Sequence, residues 1–335
     1  VHTRRAFRIS RARNGEIRNV FVRLDAEGFS GHGEASPNAF YGETWEATVA
    51  VLEQARPWLE TMQIRSVADL EAAWLQAWEL VAPSRGAQCA IDLALWDWLA
   101  QREGVSVSEL AWSTPPRALT TFCTLGLSTP EELPEKVTEL APLPHIKIKS
   151  DASASMEPVR AVRAQSEALL AVDANCAWSA AHLEELSEQL AALSVTFIEQ
   201  PFPPAEKQLL KRGSSRLPVF ADENCVAETD VDEIAEHFDG FNIKLVKCGG
   251  ITPARRMVLR GRELGLEIMV GCMLESSALI AAGAAIAQRT DYADLDGAWL
   301  LADDPFRGWD FDAGVLRPPN EHGLGAAPEL ALFGL

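Results

Sequence analysis

The sequence predicts an α/β fold, a (β/α)8-type barrel preceded by an α+β region. Eight short apolar runs recur along the chain, and their starts lie roughly 20–27 residues apart, about the length of one strand, one helix and two loops. Most runs are apolar first and polar at the C-terminal end, the end at which barrel enzymes place their active sites. A doubly wound sheet is the alternative, but it does not need eight similar units.

The first ~110 residues combine strands with helices. Residues 18–35 alternate between apolar and polar side chains around a glycine-containing turn, which predicts a hairpin. Apolar periodicity predicts helices over 44–63, 67–81 and 86–103, and Gly104 is suited to end the last of them.

The remaining chain contains the eight runs predicted to be the barrel strands. They are TTFCTLG (120–126), HIKIK (145–149), ALLAVDAN (168–175), VTFIEQP (195–201), PVFADEN (218–224), GFNIKLV (240–246), LEIMVGC (266–272) and DYADLDG (291–297). Because the C-terminal ends of barrel strands meet in one mouth, we expect their polar side chains to converge there.

Composition excludes several classes of function. The formal net charge is −18 and no basic run is present, which argues against nucleic-acid binding. The six cysteines form no CxxC pair and are expected to be reduced thiols. No apolar run is long enough to span a membrane, and the Arg-rich N-terminus lacks the apolar stretch of a signal peptide. We therefore expect a cytoplasmic protein without a membrane partner, and we also expect a homo-oligomer.

Three carboxylates close consecutive predicted strands, and they suit a divalent cation. These residues are Asp173, Glu199 and Asp222. Oxygen ligands of this kind are preferred by Mg²⁺. Each residue alone is equally well explained as the N-cap of the following helix. Three such charges crowded together repel one another without a cation, so the set favours a metal site.

Lysines lie on either side of this acidic group. Lys147 and Lys149 are two residues apart on a strand and share a face, whereas Lys244 ends the sixth predicted strand. Strands two and six are roughly opposite in a barrel, so a substrate at the metal would have Lys149 on one side and Lys244 on the other. The simpler alternative is that the lysines only neutralise the carboxylates.

These residue types suit removal of a proton next to a carboxylate. Metal binding of the carboxylate stabilises the developing enediolate. One lysine removes the proton and the other returns it on the opposite face, so that the stereocentre inverts. Positive charge from Lys147 and the metal lowers the pKa of the base.

The motifs HIKIK, VDAN, IEQP, ADE and NIK, with GHGEASP, YGE, IDLALWD and GCMLESS, resemble the muconate-lactonising subgroup of the enolase superfamily. The resemblance implies that Asp173, Glu199 and Asp222 bind Mg²⁺. It also implies that Lys149 and Lys244 are the acid/base pair, with Lys147 in support. It divides the chain into an α+β capping domain (1–112), a catalytic barrel (113–318) and a C-terminal segment (319–335) that returns to the capping domain.

Within that subgroup the chain is most similar to the dipeptide epimerases of the L-Ala-D/L-Glu epimerase type. The distinguishing motif is ADLDG, in which Asp294 and Asp296 share a strand face. The resemblance implies that this pair binds the substrate ammonium, and that Thr124, Arg11 and Arg13 also contact the dipeptide. Which dipeptide is preferred stays open.

Two classes of alternative remain. An o-succinylbenzoate synthase, an N-acylamino acid racemase or a muconate cycloisomerase would share the lysines and the metal ligands. Their substrates have no free ammonium, so the aspartate pair argues against them. A non-catalytic ligand-binding barrel is a more remote alternative, against which the intact lysine pair argues.

Overall fold

The computed structural model describes residues 1–9 and 12–329, with the backbone alone for 5–9 and 12–16. The N-terminal region contains four strands and four helices. They are β1 (His2–Ile9), β2 (Ala12–Glu16), β3 (Val20–Ala26), β4 (Phe29–Ala35), α1 (Trp45–Leu59), α2 (Val67–Val81), α3 (Arg85–Glu103) and α4 (Val107–Trp112). The predicted hairpin and the three predicted helices are confirmed, and Gly104 ends α3 with a φ of 69°.

Strands β3 and β4 form an antiparallel hairpin that lies directly on α3. Both residues of its two-residue turn, Glu27 and Gly28, have positive φ, as such turns require. A Cβ on Gly31 or Gly33 would lie 2.0 or 1.8 Å from a backbone oxygen of α3, so only glycine permits this approach. The hairpin is thereby fixed against a helix whose residues 86–100 are buried.

The eight predicted barrel strands form one parallel sheet in sequential order. They are β6 (Cys123–Leu125), β7 (His145–Lys149), β8 (Leu169–Asp173), β9 (Val195–Glu199), β10 (Val219–Ala221), β11 (Gly240–Lys244), β12 (Glu267–Gly271) and β13 (Tyr292–Asp294). The sheet closes where the Phe122 N–H donates to the Ala293 carbonyl at 2.8 Å. The short β5 (Leu119–Thr120) precedes this barrel.

The connections between the strands are less regular than eight identical units. The helices are α5 (Leu133–Leu140), α6 (Glu157–Arg163), α7 (Ala180–Ala192), α8 (Asp230–Ile234), α9 (Leu245–Cys248), α10 (Ile251–Glu263) and α11 (Ser277–Ala287). Between β9 and β10 the chain forms only a 3₁₀ helix, Pro204–Leu209. After β13 no α-helix follows within the described residues, and the chain forms β14 (Phe306–Arg307), β15 (Asp310–Asp312), β16 (Val315–Arg317) and β17 (Ala327–Pro328).

An aromatic layer fills the barrel below its mouth. The rings of Phe197 and Phe220 stack at 4.3 Å, and Phe122 and Tyr292 contact them. Phe122, Phe197 and Phe220 are fully buried. Along each strand the next inward residue toward the C-terminal end lies above this layer, which places the polar strand ends on an apolar base.

Buried polar contacts join the N-terminal region to the barrel. Asp92 of α3 accepts hydrogen bonds from the Thr252 N–H at 2.9 Å and the Thr252 hydroxyl at 2.6 Å, at the start of α10. Near the C-terminus the Leu324 N–H donates to Asp97 of α3 at 2.8 Å. The domain boundaries stay predictions, but these contacts agree with a C-terminal segment that returns to the N-terminal region.

Two expectations from composition can be compared with the structure. All six cysteines are free thiols, and four of them are buried. Among the described residues, no helix combines the length and apolar character that crossing a membrane requires.

Candidate active site

The three strand-end carboxylates meet below the barrel mouth. One oxygen from each of Asp173, Glu199 and Asp222 lies within 4.8 Å of the others, and all three residues are buried. Burial and the nearby Asp173 raise the pKa of Glu199 to about 7. This crowding of negative charge, together with the all-oxygen donor set, fits a hard divalent cation such as Mg²⁺.

Lys147 links this cluster to the end of the eighth barrel strand. Its Nζ donates to Glu199 at 3.1 Å, lies 3.7 Å from Asp173, and contacts Asp294 closely. Burial opposes the charge on Lys147, but Asp294, Glu199 and Asp173 outweigh it and raise the lysine pKa well above its ordinary value. Lys147 is therefore a cation that forms ion pairs with the carboxylate cluster on one side and with Asp294 on the other.

The two proposed acid/base lysines face each other from β7 and β11. Lys149 Nζ donates to Asp173 at 2.5 Å, and Lys244 Nζ donates to Asp222 at 2.8 Å. Burial lowers the pKa of Lys244, but Asp222 beside it outweighs burial and raises the pKa well above the usual range. The Asp222 carboxylate is therefore the main group that favours the charged form of Lys244.

Asp294 and Asp296 form a second buried acidic group. Asp296 accepts a hydrogen bond from the Thr124 N–H at 2.7 Å. Burial and the charge of Asp294 raise the pKa of Asp296 to about 6. Asp294 Oδ1 is buried and has no hydrogen-bond partner among the described residues. A buried oxygen of this kind has a site for a hydrogen-bond donor, such as an ammonium group.

Three residues that the sequence analysis did not single out hold the cluster in place. Asn175 donates its backbone N–H to Asp173 at 2.8 Å, and Asn242 donates its side-chain amide to Glu199 at 2.7 Å. Lys247 Nζ donates to the Asp222 carboxylate and to its carbonyl, both at 2.6 Å. Asn242 could have been found, because it lies two residues before Lys244 and shares its inward face. Lys247 lies beyond the strand, on α9, where strand alternation no longer applies.

A cavity of about 950 Å³ opens above these groups. It brings together the predicted Lys147, Lys149, Asp222, Lys244, Thr124, Asp294 and Asp296. Residues 17–18 and 36–46 of the N-terminal region form its other wall. Of the two predicted loop arginines, Arg11 lies outside the described residues, and so does the side chain of Arg13.

Comparison with known proteins agrees with this architecture. A family model for the mandelate racemase/muconate lactonizing enzyme N-terminal domain matches residues 1–111, and one for the enolase C-terminal domain-like family matches residues 132–331. The chain is 37% identical to the L-Ala-D/L-amino acid epimerase of Flavobacterium johnsoniae, over 95% of this chain and 94% of that protein. It is 33% identical to the L-Ala-D/L-Glu epimerase of Escherichia coli, over 95% and 96%.

Solved structures show the same similarity. The dipeptide epimerase from Methylococcus capsulatus, complexed with Mg and L-Arg-D-Lys, has a TM-score of 0.88 at 32% identity and covers 97% of this chain and 96% of its own. The dipeptide epimerase from Enterococcus faecalis, complexed with Mg and L-Leu-L-Tyr, has a TM-score of 0.90 at 27% identity, with coverages of 98% and 96%.

Proposed function

This chain belongs to the mandelate racemase/muconate lactonizing enzyme family of the enolase superfamily, and we propose that it is a Mg²⁺-dependent dipeptide epimerase. It inverts the α-carbon of the C-terminal residue of an L,L-dipeptide such as L-Ala-L-Glu or a related dipeptide. The observation that carries the proposal is a pair of buried lysines on opposite barrel strands, facing across the carboxylate cluster.

The chain's acidic groups bind and orient the two ends of the dipeptide. Asp173, Glu199 and Asp222 would hold the cation, as the donor set and its burial favour. The negative charge that develops on the substrate carboxylate would be stabilised by Mg²⁺ held there. Asp294 and Asp296 receive the ammonium, because Asp294 Oδ1 is buried without a partner among the described residues. The α-carbon thereby lies between Lys149 and Lys244.

The two lysines move the proton. For either epimer, the lysine on the side of the α-hydrogen accepts it as a neutral amine, and the opposite lysine donates a proton to the other face. Asp222 raises the pKa of Lys244 despite the opposing effects of burial and of Lys147, so a cation that offsets the Asp222 charge would favour the neutral amine. Because the planar enediolate accepts a proton on either face, the configuration inverts.

The decisive experiment follows deuterium in D₂O with Mg²⁺, by mass spectrometry and chiral chromatography, across mixtures of L,L-dipeptides. We expect the unaltered protein to introduce deuterium at the α-carbon and to form both epimers. Lys149→Ala and Lys244→Ala should each abolish epimerisation while retaining exchange from only one epimer, in complementary fashion. The exposed Lys211→Ala serves as the matched control.

Two results would contradict the proposal. If both lysine variants still epimerise the substrate, the mechanism with two lysine bases is wrong. Absence of exchange with every dipeptide would favour a non-catalytic barrel. The enzymes with N-acylated or other ammonium-free substrates remain the second candidate, because they need the same lysines and cation.

Two further predictions accompany the proposal: the protein is a homo-oligomer and it is located in the cytoplasm. Size-exclusion chromatography with light scattering measures the oligomeric state, and a single monomer mass would contradict the first prediction.

A further inference from the structure

The two ends of a dipeptide leave one substituent of the reacting carbon unassigned. In the orientation proposed above, its carboxylate would face the ends of β8–β10, its amide would lead toward Asp294 and Asp296, and the α-hydrogen would face a lysine. The C-terminal side chain would then be directed to the open mouth of the cavity. The N-terminal region forms a wall of the cavity there.

Part of that wall is aromatic and open. We call this part the cap wall, and its side chains are Ile17, Arg18, Phe40, Tyr41 and Trp45. Phe40 is 49% exposed and Trp45 is 37% exposed, although both are large aromatic residues. On the barrel side, Met273, Leu274 and Leu300 line the same cavity. Large apolar side chains that stay exposed inside a cavity are typical of a ligand-binding surface.

The cap wall is held in place at both ends. Asn38 accepts a hydrogen bond from the Phe40 N–H at 2.9 Å, which begins the 3₁₀ helix Ala39–Tyr41. Glu43 accepts hydrogen bonds from the Gly86 N–H at 2.9 Å and the Ser84 hydroxyl at 3.0 Å, at the start of α3. The Phe40 and Tyr41 rings meet edge to face at 5.0 Å. The aromatic surface is thus preformed, which lowers the entropic cost of binding.

Among the described residues that line the cavity, carboxylates outnumber cations on the side of the cap wall, where Arg18 is the cation and Glu43 and Glu46 are the acids. The Arg18 guanidinium lies over the Trp45 ring, with its centre 5.3 Å from the ring centroid. Glu46 and Glu223 line the cavity as well, and the three lysines lining it contact carboxylates of the site. An acidic substrate side chain would therefore approach further carboxylates, whereas an apolar one would cover Phe40 and Trp45.

We infer that the enzyme selects dipeptides whose C-terminal side chain is large and apolar, and that Phe40 is a specificity-determining residue. The inference rests on the proposed function, because it uses the substrate orientation derived there. Burial of an apolar side chain against the wall should give roughly a tenfold preference, which corresponds to about 1.4 kcal/mol.

The first test compares kcat/KM for L-Ala-L-Phe, L-Ala-L-Leu, L-Ala-L-Ala and L-Ala-L-Glu. We expect L-Ala-L-Phe and L-Ala-L-Leu to exceed L-Ala-L-Glu by about tenfold or more. An equal or higher value for L-Ala-L-Glu overturns the inference while leaving the epimerase intact. If the protein epimerises none of the four, the inference is overturned, and if it also exchanges no dipeptide of the broad mixture, the proposed function is overturned with it.

The second test uses Phe40→Ala, which the exposure of this side chain makes compatible with folding. The ratio of kcat/KM for L-Ala-L-Phe to that for L-Ala-L-Ala should fall severalfold, mainly through the KM for L-Ala-L-Phe. The matched control is Phe29→Ala, another exposed aromatic residue, which lies in β4 outside the cavity. It should leave the ratio unchanged. An unchanged ratio in Phe40→Ala overturns the role of Phe40.

Discussion

The charged residues at the base of the cavity, here called the barrel floor, and the cap wall lie on opposite sides of one cavity. They differ in polarity and in exposure. The floor consists of the charged groups Asp173, Glu199, Asp222, Lys147, Lys149 and Lys244, all buried and joined by ion pairs. The cap wall is aromatic and partly exposed, and Phe40 is 49% accessible. The floor is fixed by many mutual contacts, whereas the wall leaves its surface available to a ligand.

Because of this difference, we expect the floor to determine the reaction and the cap wall to determine which substrates are preferred. Charges in a buried site act strongly and tolerate little displacement. An apolar surface acts through contact area, which changes gradually with the size of a side chain. Substitutions in the floor should therefore affect all substrates, and those in the wall should affect them selectively.

The largest effect is expected for Glu199→Gln. Loss of one cation-binding carboxylate should lower kcat/KM by about 10³-fold or more for every dipeptide, because several kcal/mol of charge stabilisation is lost. Calorimetric Mg²⁺ titration should show weakened binding independently of activity. Asp232→Asn, at an exposed carboxylate on α8, is the control. If Glu199→Gln leaves both the Mg²⁺ affinity and the activity unaltered, Glu199 is not a cation ligand.

A smaller loss is expected for Asp296→Asn. Removing one charged partner of the ammonium should lower kcat/KM for dipeptides by about 10–100-fold, mainly through KM. N-acetylated amino acids, which carry no ammonium, should not show this loss. Asp296 is the cleaner choice because Asp294 also pairs with Lys147. An equal loss of kcat/KM for dipeptides and for N-acetylated amino acids would show that Asp296 does not bind the substrate ammonium.

The last effect concerns stability rather than activity, at the buried Glu275. Burial and the charge of Glu34 raise the pKa of Glu275 to about 8. Because this folded-state pKa is above the ordinary value, the stabilising contribution is complete below about pH 4.5 and is lost as pH rises through about 8. The Glu275 carboxyl should contribute a fall of about 3 kcal/mol in the unfolding free energy between pH 5 and 8, and Glu275→Gln should remove this contribution.

Chemical denaturation at several pH values measures this difference. Glu60→Gln, at an exposed position after α1, should keep the pH dependence of the unaltered protein. If Glu275→Gln shows the same slope, the Glu275 carboxyl does not titrate in this range.

The floor was more predictable from the sequence than the wall. Asp173, Glu199 and Lys149 end apolar runs, and parallel barrel strands place such ends together. The contacts of Lys247 with Asp222 were not predicted, because α9 follows β11 directly and ends the alternation that located Lys244. The position of Phe40 and Trp45 in the cavity could not be predicted from the sequence, because it depends on how the N-terminal region packs over the barrel.

The regularity of the barrel was also overestimated. The apolar runs predict the eight strands because each must be buried on both faces. They do not specify the connections, and the segment Pro204–Leu209 forms only a 3₁₀ helix where an α-helix was expected. Three prolines in Pro201–Pro204 lie before and at its start, and proline restricts the residue before it to extended backbone.

The contact of Asp92 with Thr252 has a consequence for how the molecule unfolds. Asp92 belongs to α3, yet it supplies hydrogen-bond acceptors at the N-terminal end of α10, a barrel helix whose preceding residue is Gly250. A helix end needs such acceptors, and here they come from a residue 160 positions away. We therefore expect the N-terminal region and the barrel to unfold in one cooperative transition.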